Sequence, residues 1–111
     1  MSVRVITSAA DFKALLSAHK IVVADFWATW CAPCKAVAPL FQSLATANIH
    51  DKLAFAKIDI DDVGELAQEY GVSSIPTFVL FEDGKPAGEI KGAAPAKLNE
   101  LVKDALAKAQ A

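Results

Sequence analysis

The sequence predicts an α/β domain: a central mixed five-stranded sheet flanked by four helices, with helices on both faces. Three observations predict it. "IVVADFWA", Ile21 to Ala28, is almost continuously apolar, as a central strand covered on both faces is. Segments of strand and helix character alternate from the N-terminus through Gly71. A hairpin signal, Asp83-Gly84 after an apolar run, then comes late in the chain. Alternation first and a hairpin late imply parallel and antiparallel pairing in one sheet, and right-handed crossovers prune the remaining topologies.

In order, "VRVI" (Val3 to Ile6) reads as a short strand. Ser8 caps the first helix, with Asp11 three residues on in the place of the capping-box acid. Phe12, Leu15, Leu16 and His19 recur at helical spacing. After the strand Ile21 to Ala28, a helix opens near Pro33, a residue suited to a first turn. Val37, Leu40, Phe41 and Leu44 mark its buried face, and Pro39 inside it predicts a kink. "KLAFAKIDI" (Lys52 to Ile60) is the next strand, and "DDVGELAQEYG" (Asp61 to Gly71) a short helix closed by Gly71. "TFVLFEDGK" (Thr77 to Lys85) is a strand entering a turn, and "AGEIKG" (Ala87 to Gly92) pairs back against it, with Pro86 marking an edge. The last helix starts near Pro95 and buries Leu98, Leu101, Val102, Ala105 and Leu106.

The 111 residues fit one domain over 1–111, with no linker, repeat or low-complexity segment. Apolar residues make up 54%, enough for a core even though much of that share is alanine. Net charge is -2 and the lysines are interleaved with acids, so no clustered basic face offers itself to nucleic acid. No apolar stretch approaches the ~20 residues that span a bilayer. "MSVRVITSAA" carries neither a basic region followed by a long apolar run nor an Arg- and Ser-rich composition, so the expected compartment is the cytoplasm. In such reducing surroundings a purely structural disulfide is disfavoured. A loop as short as Cys31 to Cys34 would also restrict the unfolded chain little.

Those two cysteines, in "WATWCAPCK", follow a buried strand and open a helix. Strand ends are where α/β sheets place their sites. A helix N-terminus offers free N–H groups and the positive end of the dipole, which favour an anion. A thiolate there is stabilised, and the thiolate is the nucleophile of disulfide exchange. Cys31 would be the more exposed and Cys34 the more buried, one turn further in and able to reach back; Pro33 stiffens the loop between them. This predicts attack by Cys31 on a partner disulfide, then resolution by Cys34. Two inert core cysteines are the competing reading. A zinc site would need about two more ligands. His19, on the apolar side of the first helix, and His50, at a helix end, lack ligand spacing.

"DFWATWCAPCK" resembles the active-site segment of the thioredoxin family. "SIPTFVLFEDGK" resembles the family's second signature, an Ile-Pro-Thr loop leading into a hairpin, and "KGA" (Lys91 to Ala93) its third. The three motifs stand in order at family spacing along essentially the whole chain. The resemblance implies the thioredoxin fold, no bound cofactor beyond a redox-active Cys31–Cys34 disulfide, and general protein-disulfide reductase activity. The NADPH and FAD would belong to a partner thioredoxin reductase, and the other partners would be disulfide-containing target proteins. It also implies that Asp25, a costly charge in an apolar strand, assists proton transfer at Cys34 through water. Lys57 would stand beside that aspartate; a satisfied polar residue at a strand edge is the alternative for Asp25. Pro76 matches the family's cis-proline. The backbone of Ile75 would pair with substrate as a short added strand. Trp30, Ile75, Pro76, Gly92 and Ala93 would form an apolar collar around Cys31 that docks extended peptide, with Ala32 and Pro33 in the substrate-facing loop. Trp27 is expected to pack and position rather than touch substrate. The chain is expected as a monomer, with a collar able to support weak self-association.

The sequence departs from the family in three places. Ala32 stands where glycine is usual, and Ser73 and Ser74 where Arg and Gly are frequent; Lys35 agrees with the family. A disulfide oxidase or isomerase is the second functional reading, but such members commonly carry His where Pro33 stands. A binding module that uses the fold to hold a partner is the third.

Overall fold

The computed structural model describes residues 3–111; Met1 and Ser2 of the expected domain lie outside them. The chain runs β1 (Val3–Val5), α1 (Ala9–Ala18), β2 (Ile21–Trp27), α2 (Ala32–Ala47), β3 (Leu53–Asp59), α3 (Gly64–Glu69), β4 (Thr77–Glu82), β5 (Lys85–Lys91) and α4 (Pro95–Gln110). One five-stranded sheet has the order β1-β3-β2-β4-β5. β1, β3 and β2 are parallel, and β4 and β5 join antiparallel, so the sheet is mixed as expected. β2, the most apolar strand, lies in the centre and β5, which carries Pro86, on an edge.

Alternation along the strands divides the core into two layers. Ile21 and Val23 of β2, Leu53 and Phe55 of β3, and Phe78 and Leu80 of β4 pack against α2 and α4. Val22, Ala24 and Phe26, with Ala56, Ile58, Val79 and Phe81, pack against α1 and α3. Within α2, Val37, Phe41 and Ala45 are fully buried, while the expected Leu40 and Leu44 are only partly so. Likewise α4 buries Ala109 fully, while Leu106 is only partly covered.

Local chemistry sets the boundaries. Ser8 Oγ accepts the Asp11 N–H at 3.0 Å, as a cap should. The Asp11 carboxylate turns to the Thr7 N–H, one residue before the cap, rather than to Ser8 itself. Asp83 and Gly84, at φ 52° and 81°, make the tight turn whose twist suits a hairpin. α3 starts later than the sequence predicts. The Asp59 carboxylate takes the Asp61 N–H at 2.9 Å and its carbonyl takes the Val63 N–H at 2.9 Å, which holds Asp61 and Asp62 in a turn. His19 is the extended cap residue after α1, not part of its apolar stripe, and its ring faces the Asp51 carbonyl. His50 lies beyond the Asn48 cap of α2, in a single bridge to Leu53.

Candidate active site

The C-terminal end of β2 delivers the chain into the first turn of α2, and Cys31 is that helix's N-cap. Its extended backbone leaves the first-turn N–H groups without helical partners. One of them, from Cys34, is donated to Cys31 Sγ at 3.2 Å. The two cysteines are joined as a disulfide with Cα atoms 5.3 Å apart, which excludes a pair of inert core thiols. Cys31 is 5% exposed and Cys34 2%, so the expected order holds but Cys31 is far less open than its position predicts. Ala28 and the partly buried Trp27, Ile60 and Ile75 pack over the pair.

Ile75 reaches the site from the loop before β4, and its carbonyl oxygen lies 3.9 Å from Cys31 Sγ. The Ile75–Pro76 peptide is cis. That loop is anchored on both sides. Thr77 Oγ1 donates to the Ser74 carbonyl at 2.6 Å, and the Gly92 N–H donates to the Pro76 carbonyl at 2.8 Å. Gly92 has φ +94°, a backbone state that side chains resist, so glycine is required where the third motif meets the second. Ala93 follows, lining a shallow hollow of about 140 Å³ with Val37, Leu40 and Pro95. Ala32 and Pro33 are exposed on the first turn of α2.

Trp30 is 68% exposed, an unusual state for so large a ring. It is not loose: its indole N–H donates to Asp61 Oδ2 at 2.9 Å. Sequence reasoning missed Asp61, and its only signal is a place in an acidic run just after β3.

Asp25 lies in the central strand, 2% exposed, so it is not a satisfied residue at a strand edge. Its Oδ1 has no hydrogen-bond partner. Burial pushes its carboxyl up to about 7, and the charge of Lys57 draws it only partly back. Lys57 is its register partner on β3, and the Lys57 ammonium rests 4.2 Å from the centre of the Trp27 ring. A cleft of about 400 Å³ opens beside them, lined by Asp25, Trp27, Cys34, Lys35, Pro39 and Lys57 among others. A cleft of that size with Asp25, Lys35 and Lys57 in its wall has room and polar partners for water. The structure therefore brings Cys34, Asp25 and Lys57 to one cleft. It packs the half-buried Ile75 against Cys31, with the buried Pro76 behind it tied to the half-buried Gly92. Of the expected collar residues around Cys31, Trp30 is the exposed one. Among the described residues no three His, Cys, Asp or Glu side chains converge as metal ligands would.

A disulfide at a helix N-terminus, with a buried acid in the cleft of its second cysteine, is an arrangement suited to thiol–disulfide exchange. The thioredoxin family model matches residues 3–104. The chain is 42% identical over 100 residues to the thioredoxin of Malassezia sympodialis, covering 90% of this chain and 95% of that protein. The crystal structure of that thioredoxin superposes with a TM-score of 0.88 at 41% identity, over 95% of this chain and 91% of the other. Identity to Thioredoxin-2 of Pyricularia oryzae is 47% over 104 residues, where the match takes in 92% of this chain but 58% of that longer protein. A "Bifunctional thioredoxin reductase/thioredoxin" of Mycobacterium leprae is 47% identical over 88 residues, 79% of this chain and 19% of that protein. The chain belongs to the thioredoxin family.

Proposed function

We propose that this chain, a single domain over 1–111, is a general protein-disulfide reductase in which Cys31 attacks and Cys34 resolves. The observation that carries the reading is the Cys31–Cys34 disulfide at the cap of α2, with Cys34 lining the cleft of Asp25. In the reduced protein the Cys34 N–H that now points at Cys31 Sγ would stabilise a Cys31 thiolate. That thiolate attacks one sulfur of a substrate disulfide. The substrate S–S bond breaks, a mixed disulfide forms, and the departing substrate thiolate takes a proton from solvent. Cys34 then gives its proton to the Asp25 carboxylate through water in the cleft and attacks Cys31 Sγ. The second substrate sulfur leaves as a thiolate and takes a proton from solvent, Asp25 returns its proton to water in the cleft, and two electrons have passed from the dithiol to the substrate. Lys57 steadies the charge that Asp25 gains and loses.

Trp30, Ala32, Pro33, Ile75, Pro76, Gly92 and Ala93 form the docking collar, and the Ile75 backbone pairs with an extended substrate segment. A thioredoxin reductase using FAD and NADPH returns the two electrons. The Mycobacterium leprae relative, whose name joins both activities in one chain, supports that partnership. The protein works in the cytoplasm as a monomer, and substrate competes with weak self-association through the collar.

In a Cys34→Ser variant mixed with a disulfide-bonded protein, the mixed disulfide on Cys31 accumulates as a species that reductant dissolves. Cys31→Ser forms none. The absence of any trapped species would remove the mechanism. The reduction potential gives the direction: thioredoxins in general lie near about -270 mV, whereas a value near or above about -200 mV would make this chain an oxidant.

A further inference from the structure

Asp25 and Lys57 face each other in the register of two neighbouring parallel strands, on the same side of the sheet. Strands so paired lie about 4.8 Å apart. A lysine stem is long enough for its ammonium to close on the carboxylate beside it. Among the described residues, however, no ion pair joins the two, and Asp25 Oδ1 has no partner at all. The ammonium lies instead over the Trp27 ring, 4.2 Å from its centre. Trp27 stands two residues after Asp25 on β2, so alternation puts its ring on the same face, further toward the cysteines. A ring face attracts a cation and needs no proton in return.

We propose that Trp27 is a positioning residue: its ring holds the Lys57 ammonium and so keeps that cation from pairing with the Asp25 carboxyl. The consequence is a carboxyl free to take and return a proton. A closely paired carboxylate would stay ionised across the neutral range and could accept a proton but not hold it. The groups that bear on Asp25 are Lys57 from β3 and Cys34 and Lys35 from α2, which line the same cleft; β4 sets the apolar Phe78 opposite it. Of these, burial of the carboxyl is the larger influence and Lys57 the opposing one. Lys57 is the charge that opposes burial, so a side-chain rotation that brings its ammonium closer lowers the Asp25 midpoint. The consequence for turnover rests on the role proposed above for Asp25, but the contact itself does not, and the test reads the contact without turnover.

Asp25 is titrated by carboxyl 13C NMR in the oxidised protein. In Trp27→Leu the freed Lys57 turns to Asp25, and the midpoint falls by about one pH unit. In Lys57→Met the midpoint rises, and adding Trp27→Leu to that variant does not lower it. A midpoint that stays or rises in Trp27→Leu overturns the proposal. So does a fall that persists without Lys57, since packing alone would then be its cause. If Trp27→Leu does not fold, the unaltered protein still decides. Its Lys57 Hε protons must lie upfield through the ring current of Trp27, and ordinary shifts there overturn the proposal. A protein that fails as a reductase while passing these tests would lose the function proposed above and keep this contact.

Discussion

On the side facing α1 and α3, β2 and β3 present Val22, Ala24, Phe26, Ala56 and Ile58, all buried among other apolar groups. On the side facing α2 and α4, the same two strands begin in the same way, with Ile21, Val23, Leu53 and Phe55. They then change to Asp25, Trp27 and Lys57, beside a cleft of about 400 Å³. One face is filled to the end of the strands, whereas the other stops being filled one layer short. The filled face fixes where the strand ends are, and the unfilled face supplies a desolvated acid with room beside it. A buried charge is costly, and that cost is the physical ground for the role proposed for Asp25.

The largest expected effect that sharpens this contrast is at Asp25. Its carboxyl is raised from 3.8 to about 7. Below 3.8 both folded and unfolded chains hold the proton, and the raised value favours the fold fully. As pH rises through about 7 that contribution is lost, because the folded state must give up a proton that the unfolded chain has already released. The full difference is on the order of 4 kcal/mol. Asp25→Asn therefore gains stability relative to the parent as pH rises from about 4, and the gain levels off above about 7. Urea unfolding of the oxidised protein at several pH values reads it. The same variant slows resolution of the mixed disulfide at neutral pH. A stability difference that does not vary with pH would mean that Asp25 is hydrated like a surface acid, and the contrast between the faces would fail.

Much of this contrast was legible in the sequence. Asp25 and Lys57 are the charges inside two apolar runs, and period-two alternation puts them on one side. The Cys-Ala-Pro-Cys turn with its helix, the Asp83-Gly84 hairpin and the edge at Pro86 were equally readable, because each is local chemistry. What stayed hidden depends on contacts across the fold. Part of the cover on Cys31 comes from Ile75, 44 positions away, and so its burial could not be inferred from its place at a helix start. Asp61 meets Trp30 across 31 positions. The late start of α3 turns on the Asp59 side chain choosing the Asp61 N–H, a local competition that hydrophobic spacing does not register.

A smaller effect tests the surface beyond the ends of the same two strands. Trp30 follows β2 and Asp61 follows β3, and their hydrogen bond holds an exposed ring in one place. Asp61→Ala frees the ring, and a hydrogen bond of this kind contributes about 0.5–1.5 kcal/mol. KM for a protein substrate is expected to rise about 2- to 10-fold, with kcat unchanged because the cysteines are untouched. Asp61→Asn keeps an acceptor oxygen for the indole and restores KM. Equal KM values in all three proteins would mean that Trp30 needs no support to serve the collar.

The smallest expected effect at the site is none, and it comes from the filled face. Ser8 caps α1, which packs on the layer away from the cleft. Ser8→Ala removes the acceptor for the Asp11 N–H and costs about 1 kcal/mol of stability. A reduction potential responds only to a difference between the oxidised and reduced forms. A cap that contributes equally to both leaves the Cys31–Cys34 potential where it was. If instead the cap acted on one form alone, about 1 kcal/mol would move the potential by about 20 mV, well within reach of a thiol-buffer titration read by tryptophan fluorescence. An unmoved potential with a lowered urea midpoint keeps the two faces separate in function. A shift of that size would show that opening the disulfide loosens α1 through the shared strand β2, and the filled face would then belong to the redox machinery as well.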